Sequence, residues 1–120
     1  MKRTRAYVPE RGDVIWITLD PQIGHEQAGR RPALVLSPAG YNGRVGLALL
    51  CPITGRRKGY PFEVALPEAL PVGGVVLADM VKSLDWRERK AARICSVPQD
   101  VLTQVLNGLH ALLAGRTSRG

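Results

Sequence analysis

Aromatic side chains are scarce in this chain: one Phe, three Tyr and two Trp in 120 residues. A surface that binds a single strand by stacking successive bases needs more rings, so an aromatic platform is a poor account of the sequence. Cysteine is scarcer still. Cys51 and Cys95 stand far apart in two apolar runs, with no CxxC spacing and no clustered histidine, which gives no metal site and points to buried thiols in a reducing compartment. Long hydrophobic runs are missing: none reaches the roughly 20 apolar residues that span a bilayer, and the opening MKRTRAYVPERG has the charge of a signal peptide without its apolar core. The sequence therefore argues against export and membrane insertion, and for the cytoplasm. Acidic residues are outnumbered, 10 against 17 basic, for a formal charge of +7. Such a balance favours a polyanionic partner, such as nucleic acid, an anionic membrane face or an acidic protein, although charge alone also serves solubility.

Glycine and proline, in contrast, are plentiful. Thirteen Gly and nine Pro exceed what a mostly helical chain tolerates and lean the reading toward strands and turns. One domain over 1–120 is expected, large enough to bury a core without metals or disulfides, with 1–6 and 115–120 outside the packed part. Short β-branched and aromatic runs bounded by Gly, Asp and Pro predict strands at 14–19, 32–37, 46–54, 60–66 and 90–97, and the longer VVLADMVKSLDW, 75–86, supplies another. The intervening AGYNGRV reads as turn. Within YPFEVAL, Phe62, Val64 and Leu66 fall on one side and Pro61, Glu63 and Ala65 on the other. From Val101 the period changes: Leu102, Val105, Leu106, Leu109, Leu112 and Leu113 form an amphipathic helical stripe, with Pro98 early, a Ser96–Gln99 capping box, and Gly115 as its stop. Six short strands and one helix predict a mainly β fold, a small twisted barrel closed by the helix.

Three polar clusters interrupt the apolar pattern. GHEQAGRRP, residues 24–32, places Glu26, Gln27, Arg30 and Arg31 between two strands, with glycines for sharp turns and Pro32 at the next strand. It is either a site on a rigid scaffold or a surface loop whose ion pairs contribute little. PITGRRKGYP, 52–61, sets Thr54 at a strand end ahead of Arg56, Arg57 and Lys58. Three consecutive cations form a solvated turn by default, and a phosphate contact by the sharper reading. In DMVKS, Asp79 and Lys82 are either a local ion pair or part of a site. The two histidines do not make an acid–base pair: His110 lies on the polar side of the helix, and His25 adjoins Glu26 with no second imidazole near it.

GDVIWITLDPQIGHEQAGRRPALVLSP, LCPITGRRKGYPFEVAL and GVVLADMVKSLDWRER, in this order over about residues 7–97, resemble the MazF/PemK toxins of bacterial toxin–antitoxin systems, closest to the MazF branch. The resemblance implies an SH3-like barrel of the CcdB/PemK-like fold, a homodimer, and a sequence-specific endoribonuclease that cuts single-stranded RNA without metal or other cofactor. Its products would be a 2′,3′-cyclic phosphate and a 5′-hydroxyl. It further implies a cognate MazE-like antitoxin that lays an acidic segment across the RNA groove. Carried over motif by motif, the catalytic residues are Glu26, Arg31 and Thr54, with Gln27, Arg30, Arg56, Arg57, Lys58, Asp79 and Lys82 on the substrate. The chain departs from the family pattern at Arg30, where histidine is common, at Gly55, where some relatives carry a second polar residue, and at Leu77, where a Kid-like subgroup has arginine. Two rivals share the barrel: a non-enzymatic CcdB-like toxin and a nucleic-acid-binding module without chemistry.

Overall fold

In a computed structural model, which describes residues 6–19 and 29–115, the apolar runs become seven antiparallel strands and two helices. These are β1 (Asp13–Thr18), β2 (Arg30–Val35), α1 (Ala39–Val45), β3 (Leu47–Thr54), β4 (Glu63–Ala65), β5 (Val75–Leu77), β6 (Lys82–Asp85), β7 (Ala92–Ser96) and α2 (Gln99–Ala114). Hydrogen bonds join them in the order β4-β5-β3-β2-β1-β7, with β6 on β3 as well. The expected mainly β fold with a C-terminal helix is what forms.

Both faces of the central strands are buried, which explains why their sequences are nearly continuous apolar runs rather than strict alternations. Val14, Leu34, Cys51 and Ile53 point into one core, which α2 completes with Val101, Leu102 and Val105. Ile15, Ile17, Ala33, Val35, Ala48 and Leu50 point the other way, into a second core closed by Trp86. The strand path has edges at β4 and β7, and α2 packs against the apolar face that also carries Val64 of β4. Its stripe outruns the sheet, so Leu112 and Leu113 remain exposed.

Three local expectations change. The run 75–86 is not one strand: β5 pairs with Ile53 and Thr54, whereas β6 pairs with residues Leu47 to Leu50, and a turn closed by Met80 N–H to Leu77 C=O separates them. The break falls opposite Cys51 and Pro52, and a proline has no N–H to offer a continuous ladder. AGYNGRV, read as turn, is helical because of one buried side chain. Asn42 Nδ2 donates to the carbonyls of Pro9 and Ser37 at 2.8 and 2.9 Å, its Oδ1 accepts the Ser37 hydroxyl, and its own carbonyl accepts Trp86 Nε1–H at 2.9 Å. Tertiary bonds thus outweigh two helical glycines. The capping box does not form. Ser96 Oγ accepts from Arg93 and donates to the buried carboxylate of Asp13, and Pro98 caps α2 with no side-chain bond.

Asn42→Leu should therefore lower the unfolding free energy by about 2–4 kcal/mol, because it strands two carbonyls and a hydroxyl in the interior. Urea unfolding measures this directly. A change below about 0.5 kcal/mol would mean that water reaches those groups.

Both cysteines are free thiols. Burial, with the nearby Asp79 charge, pushes the Cys51 thiol up to about 12, so it packs as an apolar group and not as a nucleophile.

Candidate active site

The site begins at the end of β2. Alternation along RRPALV puts Arg31 on the face of Ala33 and Val35, past the edge of the second core, where it is exposed opposite Ile17 of β1. On β3, Thr54 shares a face with Leu50 and Pro52. The β2–β3 register sets Ala33 opposite Pro52 and Leu34 opposite Cys51. The β2–β3 pairing ends at Ala33–Pro52, so Arg31 and Thr54, each two residues beyond it, lie at the same end of these neighbouring strands. Thr54 is in turn opposite Val75 of β5. Two polar side chains from separate sequence blocks are thus carried at one end of the β2–β3 pair.

Two backbone features hold Thr54. Its Oγ1 accepts the Arg56 N–H at 3.2 Å, which leaves the hydroxyl's own hydrogen to be donated outward. Behind it lies Gly74, with φ +108°, so close that a β-carbon there would stand 2.1 Å from the Thr54 carbonyl oxygen. Only glycine fits that position.

Thr54 also opens a concave pocket of about 310 Å³. Arg56, Lys58 and Asp79 line it, as does Tyr60, which is 61% exposed. Leu77 and Met80 form its apolar floor, and Glu63 closes one side. Of the residues singled out in the sequence, Thr54, Arg56, Lys58 and Asp79 therefore converge, and Arg31 stands at the start of the neighbouring strand β2. Arg57 and Lys82 are exposed but do not line the pocket. Arg30 faces elsewhere: its guanidinium donates to the carbonyl of Lys90 at 2.8 Å and to that of Arg89 at 3.4 Å. Arg89 answers by donating to the carbonyls of Thr18 and Leu19. The pair ties the β6–β7 connection to the ends of β1 and β2. Glu26, Gln27 and His25 lie outside the described residues.

Tyr60, Glu63, Leu77 and Met80 were not legible as site residues. Glu63 carried the one usable signal, a carboxylate on the polar side of an alternating strand beside three cations. Its Oε1 accepts the N–H of Gly59 at 2.9 Å and its Oε2 that of Lys58 at 3.0 Å. Desolvation disfavours its charged form and pushes its pKa up, but these bonds, the pull of the Tyr60 N–H and the Arg57 charge outweigh it, so the carboxyl sits below its ordinary range.

Residues 10–113 match the family model described as PemK-like, MazF-like toxin of type II toxin-antitoxin system. The Endoribonuclease toxin MazF of Escherichia coli K12 is 47% identical over 107 residues, covering 89% of this chain and 96% of that one. A crystal structure of MazF from Deinococcus radiodurans superposes with a TM-score of 0.83 at 58% identity, covering 90% of this chain and 98% of the other. A MazE-MazF structure from the same organism gives 0.83 at 51% identity, covering 92% and 100%. With the family model matched over residues 10–113 and a relative 47% identical over 107 residues, the protein belongs to the PemK-like, MazF-like family of type II toxin–antitoxin toxins.

Proposed function

We propose that the chain is the endoribonuclease toxin of such a system, a cytoplasmic homodimer that cuts single-stranded RNA and is restrained by a cognate MazE-like antitoxin. The reaction is a transesterification without metal or other cofactor, leaving a 2′,3′-cyclic phosphate and a 5′-hydroxyl. The observation that supports it most is the pocket in which Thr54 joins Arg56 and Lys58, with Arg31 exposed at the start of the neighbouring strand β2.

The chemistry suits these residues. A ribose 2′-oxygen must lose its proton and attack the adjacent phosphorus while the 5′-oxygen leaves, and negative charge grows on the non-bridging oxygens. Arg31 presents a planar fork of donors matched to two phosphate oxygens, and Thr54 adds one neutral donor from a fixed rotamer. A guanidinium holds its proton too tightly for easy release, so stabilisation of charge is its main role. Glu26 is assigned either acceptance of the 2′-hydroxyl proton or alignment of Arg31. Arg56 and Lys58 hold neighbouring phosphates, with Gln27, Arg57, Asp79 and Lys82 assigned to the surrounding RNA. Arg30, engaged with backbone carbonyls, acts on RNA only by way of the loop it anchors.

Incubation with a long unstructured RNA in excess chelator, followed by mapping of the cut ends, tests the reading. Cuts recurring at one short sequence and bearing cyclic phosphates are expected. Affinity for an uncleavable analogue should fall roughly fifty-fold between about 50 and about 200 mM salt if the groove neutralises about four phosphates. Intact RNA would move the assignment to a protein-directed toxin, and a flat salt response would remove the basic groove.

A further inference from the structure

A carboxylate in a pocket meant for RNA is out of place by charge, since it repels the phosphates that Arg56 and Lys58 would attract. Its contacts give the reason for it. Residues 55–60 are all exposed, have no regular secondary structure and bury no apolar side chain. Left alone, such a segment would occupy many conformations, and fixing it costs roughly 1–2 kcal/mol per residue. Glu63 supplies what the core does not. Two successive N–H groups, of Lys58 and Gly59, donate to its carboxylate, and its own N–H donates to the Tyr60 carbonyl at 3.1 Å. Gly59, at φ +79°, makes the turn that aims them there. The result is an anion-binding nest closed on a side chain of the same molecule, with charge-assisted bonds stronger than neutral ones. The negative charge is directed at the backbone, while the side chains of Arg56, Lys58 and Tyr60 are presented to the pocket.

We propose that Glu63 is a positioning residue for RNA, which holds the segment from Arg56 to Tyr60 in its binding conformation and acts on substrate capture rather than on bond cleavage. This rests on the reading of the pocket as an RNA site.

The test pairs Glu63→Gln with Glu63→Asp. The amide keeps the shape but turns an NH2 toward the Lys58 and Gly59 donors; the shorter acid keeps the charge with less reach. Two readouts are needed: amide hydrogen exchange of Lys58 and Gly59 in the protein alone, and KM and kcat on a short RNA. Glu63→Gln is expected to speed exchange at both amides by about tenfold or more and to raise KM by about tenfold, with kcat within about threefold of wild type. Glu63→Asp should fall between the two proteins in both readouts. Unchanged exchange would show that the carboxylate does not order the loop, and faster exchange with unchanged KM would show that loop order does not matter to RNA; either overturns the proposal. A wild-type protein that neither cuts nor binds RNA would instead overturn the functional reading, and the RNA half of this one with it, while exchange still reports what Glu63 does to the loop.

Discussion

Arg31→Ala should lower RNA cleavage by at least 10²- to 10³-fold, the range seen when one preorganised donor to a developing charge is removed. The expected melting temperature stays within a few degrees of wild type, because Arg31 is exposed at the first residues of an outer strand end and belongs to neither core. Arg31→Lys should recover little of the loss. An ammonium is a point charge on a flexible stem and cannot meet two phosphate oxygens at once with fixed geometry. The measurement is single-turnover cleavage of a short RNA under saturating protein, alongside thermal unfolding. Activity of Arg31→Ala within about threefold of wild type would remove the arginine from the chemistry.

Gly74→Ala should damage the same site from behind, through a residue that no substrate touches. Two costs add at this position. The backbone is at φ +108°, a conformation L side chains rarely adopt, and the new β-carbon would press on the Thr54 carbonyl oxygen at 2.1 Å and on the Gly55 α-carbon at 2.9 Å. Neither atom is the far end of a flexible side chain, so the end of β3 must move. If Thr54 acts as proposed, its displacement by about 1 Å is enough to cost roughly 10²-fold in rate, and the strain should lower stability by about 2–4 kcal/mol. Gly73→Ala is the control. Its β-carbon would meet nothing within 4 Å, so activity and stability should stay near wild type. Equal cleavage by the two variants would mean that Thr54 is not held by this contact.

Much of the architecture was legible because it is written in local periods. Strands at the observed places follow from short β-branched runs bounded by glycine, aspartate and proline, and α2 follows from a stripe repeating every three to four residues. The sequence also singles out Arg31 and Thr54, which sit in blocks whose residue types suit phosphate chemistry. Other features depended on partners far along the chain. The helix at Ala39–Val45 exists because Asn42 reaches Pro9, Ser37 and Trp86, none of which a local window contains. Asp13 takes the Ser96 hydroxyl across 83 residues, which leaves α2 without the expected box.

By itself the sequence determined the fold class, the strand and helix faces, the free cysteines, the basic surface and the family to which the motifs belong, because each of these is carried by residue type and short-range spacing. Only the tertiary structure decided that Thr54, Arg56, Lys58 and Asp79 line one pocket, that Arg30 turns away to the Arg89 and Lys90 carbonyls, and that Glu63 bonds the backbone of Lys58 and Gly59 while Gly74 lies against Thr54. Those outcomes rest on strand register and on backbone packing between distant segments, where a shift of a single residue would send every side chain to the other face.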